Sequence, residues 1–278
     1  MSTAAKAPIN PSRPAGPKES RRELWLRGAA AAVFVVAAAI TWNGARSMSG
    51  GMPMPGGWVM PMMWMHMPGQ TVWGAAGMFL LMWQAMMIAM MLPSSWPMLE
   101  LYQRVAVSSG EKRPGLSVAF AGAGYFAVWL GFGAVALWMG SVASDAAMKS
   151  AALSRLMPAA AGVALIVAGL YQWSPWKQAC LAHCRSPLLF LAHVFQPGLR
   201  GAMRVGIAHG IFCTGCCWAL MVIQMILGVM NLSVMLLVAA VIAVEKLWKR
   251  GPLFARLAGG AAIAMGAFYL VLAVRSWT

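Results

Sequence analysis

Gly206–Met230 reads GIAHGIFCTGCCWALMVIQMILGVM. The stretch holds no Asp, Glu, Lys or Arg and is long enough to span a bilayer's hydrocarbon core. A run this apolar is a membrane helix, yet it carries three thiols, an imidazole and several thioethers. His209, Cys213, Cys217, Met221 and Met225 recur at i+4. Residues at that spacing stack one above the next on a helix. The row drifts by about 40° per step, given 3.6 residues per turn. It forms a shallow spiral of soft donors, and such donors select Cu(I) or Zn.

The rest of the chain is of the same kind. Of its 278 residues, 61% are hydrophobic and only 10% charged. Further apolar runs occupy Leu24–Trp42 (interrupted by Arg27), Val72–Leu92, Leu116–Met139, Pro158–Trp173, Leu232–Leu247 and Leu257–Val274. The runs are continuous rather than alternating, which argues against a β-barrel. The fold class is all-α, a polytopic transmembrane bundle of about seven helices. Residues 1–23 read as a disordered cytoplasmic tail and 24–278 as one transmembrane domain. The first run reads as a retained helix, because no small-x-small cleavage site precedes Met48.

The formal charge of +15 does not point to nucleic acid, because the basic residues lie between apolar runs and fit membrane topology. With the N-terminus inside, 17 of the 21 Lys and Arg fall in inside segments. That bias makes the N-terminus cytoplasmic. The chain therefore reads as a multi-pass protein of a bacterial inner membrane, with the bilayer and a metal ion as its partners.

There are 25 Met beside 10 Phe. Eight of them (48, 52, 54, 60, 62, 63, 65 and 67) crowd a Gly- and Pro-broken outside loop, 46–70, together with His66. This is either a surface loop anchored by Trp58 and Trp64 or a thioether trap for Cu(I). Met78, Met82, Met86 and Met90 follow at i+4, with Met87 and Met91 alongside. Packing by adaptable side chains and a methionine conduit both account for that stripe. Pro93 is expected to end the helix, and Ser141–Met157 to form a polar connection.

Cys180, His183 and Cys184 sit at i, i+3 and i+4 and are expected on one helix face. Cys213, Cys216 and Cys217 supply three more sulfurs across one inside segment, 177–217. Cys on two flanking segments point to a metal. Cu(I) leads, because of the Met excess; Zn or an iron–sulfur cluster can use the same thiols. Two alternatives stay open, buried Cys as small hydrophobes and a thiol–disulfide relay. Glu245 beside Lys246 reads either as an interfacial ion pair or as a charge or proton partner of the ion.

Three blocks carry a family resemblance: Met82–Pro93 (MWQAMMIAMMLP), Lys177–Pro187 (KQACLAHCRSP), and His209–Met221 followed by Gly228–Asn231 and Glu245-Lys246. In this order they resemble a bacterial family described as predicted metal-binding integral membrane proteins, some labelled copper chaperones. The resemblance spans about Met78 to Trp248 and implies metal handling without specifying a mechanism. The expected function is membrane-embedded transport or chaperoning of a soft ion. A redox or assembly factor and a purely structural subunit are the rivals. No GxxxxGK[ST] motif is present, so any transport is passive or ion-coupled.

Overall fold

The computed structural model describes residues 17–48, 50–64, 69 and 71–275. Among them are nine helices: α1 Pro17–Ser47, α2 Val72–Ser108, α3 Pro114–Lys149, α4 Ala151–Trp173, α5 Pro175–Arg185, α6 Pro187–Val194, α7 Gly198–Gly228, α8 Leu232–Leu247 and α9 Gly251–Arg275. All of α1, α2, α3, α4, α7 and α9 are long and apolar enough to cross a membrane, so the chain is a multi-pass membrane protein. α8 has 16 residues and falls short of that length. The bundle is thus six long helices and one shorter one. The tail expected over 1–23 is helical from Pro17.

Glycine sets the two tightest helix pairings. Gly206 and Gly210 of α7 face the Ala121 and Tyr125 carbonyls of α3. Gly162 and Gly169 of α4 face Gly266 and Gly259 of α9 in the same way. Small residues let backbones approach, and in lipid that approach is what holds helices together. A Cβ at Gly206 would collide with the Ala121 carbonyl oxygen, whereas one at Gly122 meets nothing within 4 Å. Gly206→Val is therefore expected to cost about 1–3 kcal/mol or more and Gly122→Ala close to nothing, as read by thermal unfolding in detergent.

Two expected breaks are absent. α2 continues through Pro93 and Pro97 to Ser108. Buried membrane helices tolerate proline when hydroxyls and neighbouring helices serve the freed backbone groups. The carbonyls that lose a donor are those of Ala89 and Pro93. Between them Ser94 Oγ donates to the Met91 carbonyl at 3.1 Å and Ser95 Oγ to that of Leu92 at 3.2 Å, back-bonds of the kind that bend a helix without ending it. The polar connection expected at Ser141–Met157 is also helical except at Ser150. Ser144 Oγ donates to the Ser141 carbonyl, and Ser150 caps α4 by accepting from the Leu153 N–H. Arg27, the charge within the first apolar run, pairs with Glu100 of α2 at 2.5 Å.

The methionine loop is not helical, as its Gly and Pro require. It forms an antiparallel hairpin, β1 Gly51–Met54 with β2 Trp58–Pro61, followed by a 3-10 turn over Met62–Trp64. Met65, His66 and Met67 lie outside the described residues. Trp58 Nε1 donates to the Ser154 carbonyl at 2.9 Å, and Ser154 Oγ donates to that of Pro55 at 2.8 Å. The hairpin is thereby pinned to the start of α4. At the opposite end of the bundle, α5 and α6 are short helices laid against α7 and α2.

Candidate metal centre

Cys213 is the sixteenth residue of the 31 in α7, so the thiols sit mid-helix rather than near one end. The sulfurs of Cys213, Cys216 and Cys217 lie within 4.8 Å of one another, and all three residues are buried. One helical turn brings i, i+3 and i+4 to one face, which is why a C-x-x-C-C run gathers its sulfurs without a loop. Cys216 Sγ is 3.3 Å from Cys217 Sγ, and none of the five cysteines is joined in a disulfide.

α5 supplies a fourth sulfur. Ser174 caps this helix, accepting from the Lys177 N–H at 3.1 Å. Cys184 Sγ then reaches to 3.8 Å from Cys216 Sγ. Cys180, one turn earlier, lies against Gly215, where a Cβ would stand 2.8 Å from its sulfur. The two thiol segments thus meet. His183 does not join them. Its ring stacks on Phe212 with centroids 4.3 Å apart, and its Nδ1 pairs with the Ala179 carbonyl oxygen at 2.8 Å. The spacing is the same as in the α7 trio, so the backbone does not exclude it; the ring is held away by its own partners, Phe212 and the Ala179 carbonyl. It lines a separate cavity of about 310 Å³ together with His193.

Cys213 meets two polar side chains from elsewhere in the fold. Tyr125 Oη lies 2.9 Å from its sulfur and Lys246 Nζ donates at 3.0 Å. Lys246 Nζ also reaches Ser94 Oγ at 3.3 Å. A buried ammonium is costly unless partnered, and Cys213 and Ser94 are the side chains that partner it. The end of α8 is held in position by Arg185, whose guanidinium donates to the carbonyls of Glu245 and Trp248, both at 2.6 Å, and of Lys249 at 3.2 Å. Basic side chains commonly satisfy the last carbonyls of a helix in this way.

Glu245 pairs with neither Lys246 nor the thiols. Its Oε2 accepts from Lys177 Nζ at 2.6 Å, in a pair only 1% and 0% exposed. Adjacent helical residues do not face each other, so Glu245 and Lys246 serve different neighbours. That spacing rule was the signal available in the sequence for Lys246. Nothing in it singled out Tyr125, Lys177 or Ser94.

His209 is buried between the rings of Tyr125 and Phe190, at centroid distances of 5.3 and 5.6 Å. With Cys184, Lys246, Ser94, Met98 and Arg185 it borders a cavity of about 210 Å³ on the α5–α6 side of the thiols. Met86, Met87, Met90, Met91 and Met221 are buried in the same core cluster as the three clustered cysteines. Gln224 Nε2 donates to Met86 Sδ at 3.3 Å. Met82 departs from this group. It belongs to a separate small cluster at the hairpin end.

Residues 80–269 match the model of PpoB2, a family described as copper chaperone. No curated protein and no solved structure matches the chain.

Proposed function

The chain belongs to the PpoB2 copper chaperone family, and we propose that its cargo is Cu(I), held inside a bacterial inner membrane by Cys213, Cys216 and Cys217. The observation that carries this reading is the buried trio of sulfurs within 4.8 Å, with an ammonium 3.0 Å from one of them. Thiolates and thioethers are the donors that favour Cu(I) over harder ions. With two of the three cysteines as thiolates and the third as a neutral thiol, one Cu(I) leaves a net charge of −1, which Lys246 neutralises. Glu245 is then a structural partner of Lys177 rather than a ligand.

The remaining donors form a route. The basic-residue bias puts the hairpin outside and α5–α6 in the cytoplasm. Met86, Met87, Met90, Met91 and Met221 line the core between the hairpin end and the thiols. On the cytoplasmic side Cys184 and His209 border the cavity next to the trio. Cys184 suits ligand exchange there, handing the ion between the trio and a carrier in the cavity, and Cys180 stands one turn behind it. His183 stays outside the site.

The test is metal content. Protein purified anaerobically in detergent is expected to hold close to one copper per chain by mass spectrometry. The variant with Cys213, Cys216 and Cys217 all changed to Ser loses it. Iron with inorganic sulfide, or a serine variant whose copper content equals that of the wild type, refutes the reading.

A further inference from the structure

We infer that the hairpin end carries a second soft-cation site built of thioethers alone, from Met48, Met63, Met82 and Met230. These four residues come from four segments: the residue after α1, the 3-10 turn behind the hairpin, the second apolar helix, and the turn after α7. Met82, Met230 and Ala45 form a buried cluster of their own, against which Met48, Met63 and Leu232 pack. The ligand class is Cu(I) or its non-redox counterpart Ag(I). The inference borrows only the identity of the ion from the copper reading, because the site shares no ligand with the thiol centre.

Three features favour coordination over filling. Aliphatic cores are built from Leu, Ile, Val and Phe, whose rotamers are well defined, and use Met sparingly. Here the proportion is inverted, with one Leu among four Met. Thioethers need no deprotonation, so they keep their affinity for a soft ion in an acidic or oxidising compartment, where thiols fail. The third feature is Gly44. A Cβ at that position would collide with the Met82 methyl and lie 2.9 Å from its Sδ. The α1 backbone is thus cut away to accommodate this thioether.

The site is placed to pass its ion inward. Met63 and Leu232 also pack against the main core cluster that holds the thiols. Met86 follows Met82 by one turn of α2, and Met90 by two. Neutral donors bind a monovalent cation without offsetting its charge, so affinity is lower here than at the thiol centre. A gradient of that sense favours movement toward the cysteines.

Silver titration with equilibrium dialysis tests the proposal on the full chain in detergent. Wild type is expected to take two tightly held Ag(I) equivalents, and Met63→Leu/Met82→Leu/Met230→Leu to take one. Leucine preserves the packing, so a folded variant is expected. The variant with Cys184, Cys213, Cys216 and Cys217 changed to Ser keeps the methionine equivalent and takes up no Zn(II). Gly44→Ala removes no donor, yet weakens that equivalent at least about tenfold by displacing Met82. Should the leucine variant bind silver as wild type does, the methionine site is refuted whatever the thiols do. Should the serine variant lose no equivalent while the leucine variant loses one, the thiol reading fails and the methionine site stands.

Discussion

Replacing Lys246 by leucine lowers Cu(I) affinity by about a hundredfold or more. The ammonium contacts Cys213 Sγ at 3.0 Å in a fully buried setting. A copper bis-thiolate without it is an uncompensated buried anion, and removing one member of a buried charge pair costs about 3–5 kcal/mol. Each 1.4 kcal/mol is a factor of ten in the binding constant. Leucine is the substitution of choice because methionine would add a donor. Competition against a Cu(I) chelator in detergent gives the number. Ser94→Ala, which removes only the second partner of Lys246, is expected to cost about tenfold or less. An unchanged affinity in Lys246→Leu would show that the cargo needs no counter-charge from α8.

Glu245→Ala is expected to be among the most destabilising single substitutions in the protein, at about 3–5 kcal/mol. It leaves the Lys177 ammonium, 0% exposed, without its carboxylate. The pair ties α5 to α8, so its loss loosens both the helix bearing Cys184 and the helix bearing Lys246. The double variant Lys177→Met/Glu245→Leu removes both charges and is expected to recover most of that loss, since apolar replacement of a buried pair is often neutral or better. Thermal unfolding of the three proteins decides the matter. Equal stability of Glu245→Ala and wild type would mean that water reaches the pair.

The helical class and the presence of the thiol centre were legible in the sequence because they depend on local patterns. The bounds of α8 are those of the apolar run Leu232–Leu247, and Asn231 caps it by accepting from the Ser233 and Val234 N–H groups. The C-x-x-C-C run meets itself within one turn, whatever surrounds it. What stayed hidden depends on partners. Pro93 signals a helix end only where packing does not carry the helix through, and the contacts of α2 with α1, α3 and α8 come from distant parts of the chain. Ser141–Met157 looks polar in one dimension, yet the hydroxyls of Ser141 and Ser144 are spent on local carbonyls, that of Ser150 on the turn cap and that of Ser154 on the hairpin. His183 has the same helical spacing as the trio's middle cysteine, but its ring stacks on Phe212 of α7 and pairs with the Ala179 carbonyl, partners that spacing does not reveal. Tyr125 and Lys246 reach Cys213 from α3 and α8, across 88 and 33 residues, and no local pattern encodes such a meeting.

The shortness of α8 has a bearing on the lipid. Sixteen helical residues rise about 24 Å, against a hydrocarbon thickness of about 30 Å. Leu236, Leu237 and Leu247 point outward from it, while Lys249 and Arg250 follow within three residues of its end. Were α8 to cross the bilayer, the leaflet would have to thin along this flank, at a fraction of a kcal/mol per Å of mismatch, to bring headgroups to those two cations. Acyl-chain length would thus become a variable of the thiol centre. Shorter chains would relieve the pinch beside Lys246, and longer ones would press on the helix that positions it.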